Sequence, residues 1–279
     1  MRAASRKYVC MTWKFCKDFC LGSTIFLMAA TSGYGVAQTC GADEAQTIAT
    51  VRPQVTNSSV AVPCGSLQFE NGVTETGNTG TRTYDMTETM VRWGVYKKTE
   101  LNLIVPSYYK NAVTAMGTAS GAGDVTVGMK QQFKQWHGVD YSVAPFVSLP
   151  SGSSAITSHG YDGGVQIPWS RVMSKNWTAN GMLAVSWPTV AARHNATGVV
   201  TLYMDRQLTK TIDGWVEYAG IIAQRGGTQN IADFGLGYHP TPHQQIDVRY
   251  GRGMSAAAPD YFVGAGYSVR FQVYRAKKK

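Results

Sequence analysis

Val139-Asp140-Tyr141-Ser142-Val143-Ala144-Pro145-Phe146-Val147-Ser148-Leu149 is the stretch that decides the fold. Val139, Tyr141, Val143, Pro145, Val147 and Leu149 share one parity, and Asp140, Ser142, Ala144 and Ser148 take the other. A period of two is that of a β-strand with one apolar and one polar face. The stretch also has the length of a tilted membrane-crossing strand, roughly 9–11 residues. Two further segments read the same way. Trp177, Ala179, Gly181, Leu183, Val185 and Trp187 alternate with Asn176, Thr178, Asn180 and Ser186. Near the C-terminus Tyr261, Val263, Ala265, Tyr267, Val269 and Phe271 alternate with Gly264, Gly266, Ser268 and Arg270.

Working outward, the pattern predicts about twelve strands, an even number of the kind that suits a membrane barrel. They fall at 66–76, 83–95, 99–109, 122–134, 139–149, 161–173, 176–187, 198–208, 212–222, 230–239, 243–251 and 260–271. Two are less regular: Arg171 shares parity with Trp169, and Trp215 with Glu217. A bulge or a face error would explain either. Short links, such as Tyr96-Lys97-Lys98 and Ser174-Lys175, alternate with long loops at 77–82, 110–121, 150–160, 188–197, 223–229 and 252–259. Short periplasmic turns and long external loops are the arrangement of an outer-membrane barrel. A soluble sandwich has no reason to sort its loops by parity. Rings cluster near strand ends: Trp93 and Tyr96, Tyr108 and Tyr109, Phe133 and Trp136, Trp177 and Trp187. Such rings suit the two membrane–water boundaries. The alternative, a soluble barrel with an aromatic core, would place them inward. The fold expected is therefore all-β: a single antiparallel up-and-down transmembrane β-barrel with an extended N-terminal segment.

The two ends read differently from the middle. Residues 1–37 begin with Arg2, Arg6, Lys7, Lys14 and Lys17, continue through the apolar run Phe19 to Ala30, and reach Gly35-Val36-Ala37. This is the pattern of a secretory signal peptide. A membrane anchor is the alternative, disfavoured because the run is short for a span. The net charge of +9 invites a nucleic-acid reading. The signal, with Asp18 its lone carboxylate, and the tail Arg275, Lys277, Lys278 and Lys279 hold nearly all of that excess. The basic balance thus belongs to the ends and not to a binding face, so no nucleic-acid partner is expected. Residues 38–64 are polar and Thr/Ser-rich, interrupted by Pro53 and Pro63, and predict an extended or irregular piece. Cys40 and Cys64 flank it. In an oxidising compartment they suit a disulfide, with two free thiols as the alternative. The barrel is expected over 65–271 and a basic tail over 272–279.

No catalytic constellation stands out, and neither an enzyme activity, a metal nor a cofactor is expected. Five histidines, His137, His159, His194, His239 and His243, are scattered over turns and loops. Gly121-Ala122-Gly123 lacks the helix that phosphate binding needs. What remains is a charged lumen. By parity Glu70, Glu88, Arg92, Asp124, Lys130, Asp140, Glu217, Asp233, Asp247, Arg249 and Arg270 point inward. Their bland role is to fill a narrow barrel with ion pairs; the functional one is to line a constriction that selects solutes. Arg92, Asp247, Arg249 and Arg270 are preferred for the second, because the first and last strands meet when the barrel closes. A barrel of this size lies between one filled by side chains and one with an open water channel. A narrow, obstructed path follows, with 38–64 as a candidate plug tied by Cys40 and Cys64.

Several stretches resemble one outer-membrane family, that of the MetA-pathway of phenol degradation. They are Arg52-Pro53, Gly65-Ser66-Leu67-Gln68-Phe69-Glu70-Asn71-Gly72, Arg92-Trp93-Gly94-Val95, Gly121 to Lys130, Gly251-Arg252-Gly253, and Ala258 to Gly266 closing on Arg270-Phe271. The resemblance implies a barrel in the outer membrane of a Gram-negative bacterium that passes small hydrophobic or aromatic solutes. Its partners would be membrane lipid, the solute, and the assembly machinery that reads Gly266, Val269 and Phe271 in the last strand. Two departures stand out: Gln54 replaces an acidic residue usual after Arg-Pro, and the chain runs on past Phe271 to Lys279. The expectation is a passive transporter, with a non-transporting docking barrel as its rival and a barrel enzyme as the third reading.

Overall fold

The computed structural model describes Cys40, residues 47–113 and residues 117–274. The expected signal peptide, residues 1–37, and positions 275–279 of the expected basic tail lie outside them. The elements are β1 (Ser66–Asn78), β2 (Thr81–Met86), β3 (Met90–Tyr96), β4 (Thr99–Ile104), β5 (Tyr108–Val113), β6 (Gly117–Ala122), β7 (Val125–Gln132), β8 (Val139–Leu149) and β9 (Asp162–Ser174). They continue with β10 (Trp177–Ser186), β11 (Thr189–Val190), β12 (Arg193–His194), β13 (Thr197–Gln207), β14 (Ile212–Ala223), β15 (Thr228–Tyr238), β16 (Gln244–Gly253) and β17 (Tyr261–Gln272). Around the wall the order is β1-β3-β4-β7-β8-β9-β10-β13-β14-β15-β16-β17, and pairing of β17 with β1 closes a 12-strand antiparallel barrel. The seam is long, running from Ser66 opposite Gln272 to Gly77 opposite Tyr261. Closure leaves this wall no free edge to pair with another chain.

Which face points where follows from burial. Gln68, Glu70, Arg92, Glu100 and Lys130 are fully buried, whereas Leu183, Val216 and Phe234 are 57%, 61% and 55% exposed. A water-soluble fold would reverse those two groups. The greasy face is the outer one, where lipid covers it and the wall's backbone groups pair with neighbouring strands. The two irregular strands need no face error. Trp215 turns inward with Glu217, in the space left by Gly235, where a Cβ would strike its ring. Arg171 lies outward beside Trp169 near the short-turn end, and a bulge in the β9–β10 pair falls just beyond it.

One expectation changes. Residues 110–121, read as a loop, form most of the β5–β6 hairpin, and β2, β5 and β6 continue β3, β4 and β7 outward past three breaks set side by side. The breaks lie at 87–89, 105–107 and 123–124. Pro106 has no N–H to give a ladder, and Thr87 has a positive φ of 75°. Bonds from Val105 N to Thr89 O (2.9 Å) and from Gly123 N to Ser107 O (2.8 Å) carry the pairing across. The long connection 188–197 likewise contains a small hairpin, β11 with β12.

Candidate functional site: a plugged lumen

Residues 47–64 lie inside the barrel, and the inward side chains of the wall bind them almost all the way round. The segment enters at the short-turn end, where Ile48 N donates to Pro242 O at 2.7 Å. Val51 N and Arg52 N both donate to Oε2 of Glu70 on β1, at 2.8 and 3.1 Å. Val55 N and Thr56 N donate to the two oxygens of Glu217 on β14, each at 2.8 Å. Asn57 meets Gln166 of β9 and Lys130 of β7, Ser59 meets Ser170, Ala61 N meets Gln132, and Val62 N meets Glu100 at 2.5 Å. Cys64 is disulfide-bonded to Cys40, 24 residues earlier, so the segment leaves by the mouth through which it entered. An irregular chain buried in a lumen must have its amides satisfied by side chains, and this wall supplies them.

The strongest holding group is a buried charge row across four neighbouring strands. Arg92 of β3 bonds Glu70 and Glu100, each at 2.9 Å, and Lys130 of β7 lies 3.5 Å from Glu100. Arg92 also donates to two plug carbonyls, Ala49 O at 2.7 Å and Val60 O at 3.0 Å. Two carboxylates and two cations balance, which makes their burial tolerable. Glu100, which bonds both the plug and the charge row, is a residue that sequence reasoning passed over. Its signal was present, because Leu101 and Leu103 beside it are outward and parity alone turns it inward.

At the plug's upper end Arg52 pairs with Glu88 and lies 3.6 Å from Asp247. Its guanidinium occupies the space where a Cβ on Gly72 or Gly266 would stand, two glycines that face each other across the seam. Gly94 does the same for the Pro63 carbonyl. Arg249 donates to Pro53 O and to Thr74 Oγ1, and stacks over Phe262 at 5.0 Å. Val55 packs on Ala219, Ile231, Ala258 and Phe262, an apolar knot inside the lumen.

The sequence-derived residues thus fall into groups. Glu70, Arg92, Glu217 and Arg249 bond the plug's main chain, while Lys130 meets the plug side chain of Asn57 and Glu88 and Asp247 that of Arg52. Arg270 is buried opposite Gln68 at the seam, and Asp233 is buried opposite Glu217. Asp140 sits low on β8, taking a bond from Gln135 at 3.0 Å. Asp124 lies in a strand break and ties down loop 150–160 by accepting from Gly152 N (2.8 Å) and Ser158 N (2.9 Å). Burial alone would raise its pKa; those amides, together with the Thr157 and Ser158 hydroxyls, outweigh it and hold the carboxyl below its ordinary range. Gln54 lines a cavity of about 250 Å³ between the plug and the wall, with Arg52, Glu88 and Tyr109. Above it opens a vestibule of about 1080 Å³, which shares Ile104 and Tyr109 with the smaller space and is walled by Ile156, His159, Val190 and His194. His194 Nδ1 is 3.0 Å from Trp187 O, and His159 Nε2 is 3.1 Å from Ser154 O.

The sequence model of the family described as "Putative MetA-pathway of phenol degradation" matches residues 50–271, from the plug to the last strand. The chain belongs to this family. Among solved structures, the COG4313 outer membrane channel from Pseudomonas putida F1 superposes on this phenol-degradation family barrel with a TM-score of 0.61. Its identity is 9%, over 78% of this chain and 100% of its own. The NanC porin gives 0.50 at 12% identity, over 73% and 98%. This is the fold of the outer-membrane channels and porins of Gram-negative bacteria. No curated protein matches the chain by sequence.

Proposed function

We propose that the protein is a passive channel of the outer membrane for small, aromatic or hydrophobic solutes, and that residues 47–64 are its plug. The observation that carries this reading is the plug's full set of wall contacts beneath an open vestibule. A docking barrel has no need of an internal segment whose amides are matched by inward carboxylates on β1 and β14. The vestibule suits a mixed solute: Ile104, Ile156 and Val190 offer apolar surface, while Tyr109, His159 and His194 offer polar edges. No chemistry on the solute is proposed; the wall residues hold the plug and line the path.

The test is flux. Reconstituted protein should speed uptake of aromatic acids into liposomes more than that of aliphatic acids of equal size. Deletion of 47–60 should raise single-channel conductance several-fold. Unchanged conductance in the deletion would remove the plug, and absence of flux in both proteins would leave a docking barrel.

A further inference from the structure

The exposed charges at the short-turn end are not scattered. Lys97 and Lys98 occupy the β3–β4 turn, Lys134 the β7–β8 turn, Lys175 the β9–β10 turn and Lys210 the β13–β14 turn, all exposed. Those four turns are consecutive around the wall, spanning eight neighbouring strands from β3 to β14. Arg171 and Arg206 are exposed on the same rim. The next turn, 239–243, carries His239 and His243 and no lysine. Carboxylates at this end do not cancel the row: Asp140, Asp205 and Asp213 are half-buried and share the inward parity of their strands. The other end of the barrel is mixed, with Arg82 near Glu75 (3.9 Å) and an exposed Asp260.

The cations alternate with exposed rings. Tyr96, Phe133, Trp136 and Trp177 are 49%, 39%, 67% and 39% exposed. Lys97 lies 5.9 Å from the Tyr96 ring centre and Arg206 5.2 Å from that of Trp177. Rings at this level mark the boundary of the bilayer, so the ammonium groups beside them stand at headgroup height. We propose that this crescent binds the phosphate headgroups of anionic phospholipid in the periplasmic leaflet. Lipid, rather than an acidic protein, fits because the cations belong to the outward rim next to lipid-facing side chains. Clustered Lys and Arg at a membrane surface attract anionic lipid, and salt screens the attraction.

The test uses the mature protein in nanodiscs of equimolar phosphatidylglycerol and phosphatidylcholine, with retained lipid counted by mass spectrometry after mild extraction. The wild type should hold phosphatidylglycerol in about fivefold preference, falling to parity in about 0.5 M salt. The K97Q/K98Q/K134Q/K175Q/K210Q variant should retain both lipids equally, and the same five positions changed to Arg should restore the preference. Heat-modified gel migration checks that each barrel is folded. The proposal fails if the wild type shows no preference, if the Gln variant keeps it, or if R193Q/R225Q/R252Q at the far end removes it. It fails also if the crescent retains an acidic periplasmic protein while showing no lipid preference.

Discussion

Glu70 and Glu217 perform one task in two settings, each accepting two consecutive plug amides. Glu70 also takes Arg92 at 2.9 Å and Gln68 at 2.8 Å, and through Arg92 it is joined to Glu100 and Lys130. Glu217 has the Thr56 hydroxyl at 2.5 Å and a second carboxyl, Asp233, opposite it in the sheet. Among the described residues no guanidinium or ammonium group bonds it. The β1 side therefore fastens plug and wall together, and the β14 side fastens the plug alone. Displacement of the plug should begin at residues 55–56.

Replacing Arg92 should break this contrast most severely. R92M leaves Glu70 and Glu100 buried without their common partner, a loss of about 3–5 kcal/mol. The urea midpoint of the barrel should fall; an unchanged midpoint would show that the row is not structural. Reducing the Cys40–Cys64 bond frees the foot of the plug and should weaken its attachment by about 3 kcal/mol. Subtilisin should then cleave within residues 47–64 faster while the barrel resists, and equal cleavage with and without reductant would count against the tether. Next comes E217Q, which exchanges charge-assisted bonds worth about 1.5–3 kcal/mol for weaker ones. It should produce frequent conductance bursts with the wild-type urea midpoint, whereas E70Q should alter both. Identical behaviour of the two variants would erase the distinction.

The smallest effect is a pH dependence at the short-turn mouth. The His239 ring has Nε2 2.5 Å from Asp213 Oδ1, and that hydrogen bond, opposed by burial, raises the imidazole pKa above its ordinary value of about 6.5. A raised folded-state pKa stabilises fully below the unfolded value and loses its effect as pH climbs through the folded one. Stability should thus decline slightly as pH rises above about 6.5, by at most about 1 kcal/mol, and the urea midpoint should fall with it. H239N should flatten the slope, and a slope unchanged by that substitution would assign it elsewhere.

The wall was legible because each strand's two faces meet different solvents. Val139–Leu149 was read to its ends, since lipid on one side and polar lumen on the other leave a clean period of two. That reading weakened wherever the solvents were no longer distinct. Gly117, Gly121 and Gly123 present no side chain to sort, and Pro106 interrupts the ladder, so the β5–β6 hairpin looked like a loop. Trp215 breaks the pattern of its own strand because the small partner that admits it, Gly235, sits on the next one. The course of the plug could not be read at all. Val55 and its carboxylate are 162 residues apart, and nothing local in either sequence announces the other.

The plug goes in and comes out on one side, its base pinned by Cys64 to Cys40 and by Ile48 to Pro242. Such a re-entrant course involves no knotting or threading. First and last strands can zip into a finished cylinder while residues 47–64 hang in the periplasm, and the segment can slide in afterwards like a cork. Nothing in this topology makes closure of the wall wait for the stopper.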